Sequence, residues 1–223
     1  MFFILCKLAL APAAILLFYI YAKDRFDKEP LKMVLAGAVM GAASIGPVLG
    51  VDIWLKADFE GIKGVFYDAF VTSALTEEGF KYLFLILLTV KNPNLNNSMD
   101  GIVYSSAVSL GFAAAENLIY VLSPETGGFK TALMRGLFSV PGHFAFSVAM
   151  GAYYGTAVLD NKKYGYILAF LVPFAMHGVF NVILLLGMDN YLLFFIPYVL
   201  YLWFFVIKNT EKRFKAQTVL KKV

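Results

Sequence analysis

Residues 66–90 read FYDAFVTSALTEEGFKYLFLILLTV. The run is 25 residues long, enough to cross a hydrocarbon core of ~30 Å as a helix, yet Glu77, Glu78 and Lys81 stand at its centre. A charged side chain at mid-span costs about 2.5–3.5 kcal/mol on insertion scales, so three in one run require a reason. Comparable apolar stretches recur at Phe2–Ala22, Leu31–Leu55, Gly101–Leu122, Phe129–Leu159, Tyr164–Leu186 and Tyr191–Ile207. Of the 223 residues 60% are hydrophobic and 15% charged, and the mean hydropathy is +0.72. Ordinary soluble domains carry roughly 25% charged residues. These figures exclude a soluble globular fold, and the repetition excludes a single anchor on a soluble head. The expected fold is all-α and polytopic, with about seven transmembrane helices.

The Phe129–Leu159 stretch is long and holds Pro141-Gly142 near its middle, so it reads as one kinked helix or as two elements, giving seven or eight spans. Seven spans put the Lys23–Lys32 loop, Lys91, Lys162, Lys163 and the tail residues Lys208, Lys212, Arg213, Lys215, Lys221 and Lys222 on one side. The other side then holds Lys7, Lys56, Lys63 and Lys130. The positive-inside rule places the C-terminus in the cytoplasm and the N-terminus outside. Phe2–Ala22 lacks a basic leader and is read as a retained span rather than a signal peptide. The domain reading is one transmembrane unit, 1–207, followed by a short basic cytoplasmic tail, 208–223. The lone Cys6 offers neither an intramolecular disulfide nor a thiolate metal site.

No connection between spans is long enough for an extramembrane domain, so the chemistry must reside in the polar groups at membrane depth. Those groups are Glu77, Glu78 and Lys81, then Glu116 and Asn117, then His143, and finally His177 and Asn181. Counted at ~1.5 Å per residue from the outer side, Glu77, Glu78, His143 and His177 fall near one level. Glu116 and Asn181 come out one or two turns shallower. Glu77 and Lys81 share a helix face, as do His177 and Asn181, and Glu116 and Tyr120. A carboxylate in a low-dielectric cavity can act as general base toward water. Two His plus a carboxylate can hold Zn²⁺ with a water position open, and an Asn amide can donate to an oxyanion. Peptide hydrolysis inside the membrane fits these groups best.

Taken together, Glu77-Glu78-Gly79-Phe80-Lys81, Gly111-Phe112-Ala113-Ala114-Ala115-Glu116-Asn117-Leu118-Ile119-Tyr120, Pro141-Gly142-His143 and His177-Gly178-Val179-Phe180-Asn181 resemble the PrsW family of intramembrane proteases in order and spacing. The first loop, Asp24-Arg25-Phe26-Asp27-Lys28-Glu29-Pro30, is similar as well. The family is related to the CAAX prenyl endopeptidases and bacteriocin-processing enzymes. Lys81, three residues after Glu78, follows the PrsW spacing, so a prenylated substrate is not expected. The resemblance implies catalytic roles for Glu77, Glu78, His143, His177 and Asn181. It also implies a bacterial cytoplasmic-membrane enzyme that makes the site-1 cut in a single-span anti-sigma factor, begins its destruction and releases a sigma factor for stress transcription. No nucleic acid partner is expected.

Which glutamate is the base stays open. So does the choice between a Zn²⁺ site on His143, His177 and Glu78 and a metal-free glutamate mechanism. Lys81, Glu116 and Asn117 are read as supporting or substrate-gating residues. Arg135, one turn inside its span, is expected to snorkel toward the headgroups. Gly37/Gly41, Gly46/Gly50 and Gly151/Gly155 are read as close-packing faces. Two other classes place such residues at mid-depth: a proton- or metal-coupled transporter, which the lack of inverted repeats disfavours, and a non-enzymatic membrane scaffold.

Overall fold

A computed structural model describes residues 1–25, 27–187 and 192–220, with side chains as far as Lys215. Phe26, Tyr191, Lys221 and Lys222, which enter the readings above, lie outside the described residues. Among the described residues every regular element is helical: α1 (Phe2–Lys23), α2 (Leu31–Ala43), α3 (Ile45–Leu55), α4 (Gly61–Tyr67), α5 (Thr76–Thr89), α6 (Ser98–Leu122), α7 (Phe129–Met134), α8 (Val140–Leu159), α9 (Tyr164–Leu185) and α10 (Leu192–Leu220). Among the described residues five stretches are long and apolar enough to cross a membrane: α1, α2 with α3, α6, α9 and Leu192–Lys215 of α10. Two π-helical segments, Asp68–Leu75 and Arg135–Ser139, join α4 to α5 and α7 to α8, so helical backbone continues through 61–89 and 129–159.

Proline and hydroxyl chemistry account for these interruptions. Pro47 cannot donate to the carbonyl of Ala43, and its ring crowds that carbonyl, so α2 ends there and Ser44 bonds back to Gly41. Pro141 stands in the same relation to Leu137, inside the second π segment, where the widened turn accommodates the ring. At the end of the first π segment Thr76 Oγ1 returns to the carbonyls of Thr72 and Ser73.

The axis of the bundle is α6, packed against α1, α2 and α8. Asn97 and Asp100 form a capping box at its start. Glycines set its distance from its neighbours: a Cβ on Gly41 would strike the Val108 carbonyl, one on Gly111 the backbone of Ala38, and Gly101 and Gly151 lie back to back. The Gly46/Gly50 pair, also expected to pack, meets nothing within 4 Å. It lies on α3, beyond the break at Ser44, where the chain has turned away from α6. Ser105 and Ser109 of α6 donate to the carbonyls of Ser147 and His143 at 2.8 and 3.0 Å, which fixes α8 at the level of the site.

At one end of α6, Asp24, Glu29 and Asp100 are buried together, and the Tyr104 hydroxyl donates to Glu29 Oε2. At the same end α10 continues past Ile207. Its Arg213, read above as part of a short basic cytoplasmic tail, bonds to the Ala152 carbonyl and the Thr156 hydroxyl of α8.

Candidate active site

The fold brings Glu77, Glu78 and Lys81 of α5, Glu116 of α6, His143 of α8 and His177 of α9 into one connected cluster. Glu78 and Lys81 are fully buried, whereas Glu77 keeps 8% of its surface. Lys81 Nζ donates to Glu78 Oε1 at 2.9 Å and to Glu77 Oε2 at 3.2 Å, and lies 3.0 Å from His143 Nδ1. His177 Nδ1 is 2.9 Å from Glu78 Oε1, and its Nε2 is 4.0 Å from Glu77 Oε2, beyond hydrogen-bond reach.

Packing fixes both rings. The His177 ring stacks on Phe146 with centroids 4.9 Å apart and meets His143 edge-on at 5.3 Å. Phe112 packs edge-on against His143, and Lys81 Nζ lies 4.2 Å from the centroid of the Phe112 ring.

The groups expected to lie shallower join the same network. Glu116 Oε2 accepts from His143 Nε2 at 3.0 Å and pairs with Arg135 Nη2 at 2.7 Å. Arg135 therefore does not snorkel to the headgroups: its guanidinium lies over the Tyr120 ring and its Nε donates to Asn117 Oδ1 at 3.0 Å. A carboxylate, an amide and a ring face within reach of the second π segment hold the charge inside the bundle. Asn117, fully buried, also donates to the Ala9 carbonyl of α1, which ties the site to the first helix. Asn181 donates to Ser73 Oγ at 2.8 Å, and Ser73 in turn donates to Glu77 Oε1 at 3.0 Å. The sequence reading missed Ser73, and its position four residues before Glu77 was the available signal.

A cavity of about 400 Å³ adjoins these groups. Its walls include Asp68, Ser73, Glu77, Glu116, Tyr120, Arg135, His143, His177 and Asn181, with Phe138, Phe146, Phe180, Leu184, Leu185 and Phe195 as the apolar part. It extends toward the ends of α6 and α9 and the start of α10. Glu78 does not reach it. Glu77, Glu78, His143 and His177 each present a ligand atom within 4.8 Å of the others. Glu78 Oε2 is buried with no hydrogen-bond partner. Two carboxylates, two imidazoles and an unsatisfied buried oxygen fit a divalent metal ion.

Known proteins of related sequence are proteases. The PrsW-protease family model, described as PrsW family intramembrane metalloprotease, matches residues 29–207. The chain is similar to the proteases PrsW of Oceanobacillus iheyensis, Geobacillus kaustophilus and Bacillus subtilis, at 35%, 36% and 32% identity. These alignments cover 95%, 94% and 94% of the chain and 96%, 92% and 95% of the relatives. No solved structure matches it. With the family match spanning most of its length, and with buried Glu and His side chains gathered inside a multi-pass helical bundle, the chain belongs to the PrsW family of intramembrane metalloproteases and is a membrane-embedded peptidase.

Proposed function

We propose that Glu77 is the general base that activates the attacking water, with His143 and His177 positioning that water and Asn181 stabilising the oxyanion. The observation that carries this reading is that Glu77, His143, His177 and Asn181, from three helices, share the wall of one cavity while Glu78 stays out of it. The Glu78 carboxylate instead accepts from His177 Nδ1 and sets the direction of that ring. Glu77 takes the proton from water as the carbonyl is attacked and returns it to the leaving amine, so no net charge is left in the apolar surroundings. A metal ion would be held by His143, His177 and Glu78, with Glu77 in reach; Zn²⁺, when bound, supplies Lewis-acid polarisation of the carbonyl and a lower pKa for water.

The substrate we propose is a single-span anti-sigma factor, cut at its first site so that later proteases finish its removal and a sigma factor is released. Supporting this is the family resemblance, together with a cavity inside the helical bundle whose wall carries Glu77, His143 and His177. We further propose seven spans in a bacterial cytoplasmic membrane, counting 61–89 and 129–159 as the third and fifth. The N-terminus is then outside, the C-terminus inside, and the cavity opens toward the outer face.

The test is cleavage of such a single-span substrate by purified protein in liposomes, with and without a chelator. Wild type is expected to cut. Glu77→Gln and His177→Ala should bind substrate without cutting it, and a chelator should abolish cleavage reversibly. Binding without cleavage by wild type, indistinguishable from both variants, would sink the reading.

A further inference from the structure

Lys81 stands in the middle of the donor set that fits a metal ion. An ammonium has three N–H groups and no lone pair, so His143 Nδ1, 3.0 Å away, must be the acceptor. The ring proton then sits on Nε2 and is donated to Glu116 Oε2. All three Lys81 protons are therefore directed at Glu77, Glu78 and His143, and one of them covers the imidazole lone pair that a metal would need. His177 differs: its Nδ1 is engaged by Glu78 Oε1, so its Nε2 lone pair is left uncovered. The spacing produces this arrangement, because a lysine three residues after one glutamate and four after the other lies on the face between them.

We propose that Lys81 is a resident counter-cation which an incoming divalent metal must displace, the ammonium and the metal occupying His143 Nδ1 and the Glu78 carboxylate one at a time, beside Glu77. This rests on the reading of the cluster as a metal site. Charge favours exchange over joint occupancy. Lys81 offsets one of the two carboxylates and a divalent ion offsets both, whereas the two cations together would repel across a contact distance in a region closed to water. The Phe112 ring behind the ammonium favours the lysine-in arrangement, and the unsatisfied Glu78 Oε2 favours the metal-in one. The metal reaches its donors through the cavity that Glu77, His143 and His177 line. Because only the fraction of protein with Lys81 withdrawn can bind, wild type has its metal affinity lowered by that fraction.

The experiment is a Zn²⁺ titration against a chromophoric competitor, using chelator-stripped protein in detergent, for wild type, Lys81→Met and Lys81→Arg, with thermal unfolding recorded with and without the ion. Lys81→Met is expected to bind Zn²⁺ about tenfold or more tightly than wild type. Stripped, it should unfold at a lower temperature, since two carboxylates have lost their cation, and Zn²⁺ should restore it. Lys81→Arg, whose charge is bulkier and permanent, should bind about tenfold or more weakly. Binding by Lys81→Met that is equal to or weaker than wild type overturns the exchange. Undiminished binding by Lys81→Arg does the same, and this arm decides if Lys81→Met does not fold. If no chain takes up Zn²⁺, the metal reading falls and the exchange with it; uptake indifferent to residue 81 removes the exchange alone.

Discussion

Glu116 carries more of the site than its place along α6 suggests. One carboxylate oxygen serves both the His143 ring and the Arg135 guanidinium, so it fixes which imidazole nitrogen bears the proton and keeps a cation inside the bundle. Removing its charge leaves Arg135 without its carboxylate partner and weakens the hydrogen bond that holds the His143 proton on Nε2. Glu116→Gln is expected to lower the cleavage rate about 10–100-fold with substrate binding and helical content kept, the usual scale for a residue that orients a functional histidine. A rate within about twofold of wild type, in the same liposome assay, would make Glu116 a packing residue only. At the other end of α6, burial raises the Glu29 carboxyl from 4.5 to about 8, the neighbouring Asp100 adds to the rise, and the Tyr104 hydroxyl works against it. An acid whose pKa is raised on folding stabilises the fold fully below its ordinary value, and that contribution is lost as pH rises through the folded value. The unfolding temperature should therefore fall between about pH 4.5 and about pH 8, and Glu29→Gln should flatten this slope. A slope unchanged in the variant would assign the pH dependence elsewhere.

At the scale of the element, glycines and π turns decide how the helices meet. Gly151 lies against Gly101, where an added methyl would strike the Gly101 carbonyl and the Ser105 hydroxyl, so α8 must move off α6 to admit it. Gly151→Ala is expected to destabilise by about 1–3 kcal/mol, the cost of overpacking. Gly50→Ala, facing open space, should stay within about 0.5 kcal/mol of wild type. Both are read from thermal unfolding in detergent, and equal losses would remove the close α6–α8 approach as the cause. The sequence marked both glycine pairs alike, because spacing says that a helix has a small-residue face but not what lies opposite. Pro141 was legible as a disturbance. Its consequence, a π segment rather than a break into two helices, depends on neighbours that keep the widened turn packed.

For the molecule as a whole, the proposed seven spans and their orientation are open to direct test. In a Cys6→Ser background, a membrane-impermeant thiol reagent should label Glu60→Cys on intact cells and Lys91→Cys only after permeabilisation. The reverse pattern inverts the orientation, and labelling of both on intact cells breaks the seven-span count. The helical membrane class and the polar residues that gather in the candidate cluster were readable without coordinates, and both are local properties: a run of apolar residues either spans the hydrocarbon or does not, and a charge within it is costly wherever it points. Glu77, Glu78, His143 and His177 could thus be named and set near one depth from residue counting. Which atoms meet was a tertiary outcome. In lipid the outer face of a helix is as apolar as its inner one, so hydropathy says little about which way a polar side chain turns, and helix rotation is set by close contacts such as Gly41 on Val108 and Gly101 on Gly151. That packing turned Arg135 inward to Glu116, kept Glu78 out of the cavity that Glu77 lines, and put the Lys81 ammonium on the lone pair of His143.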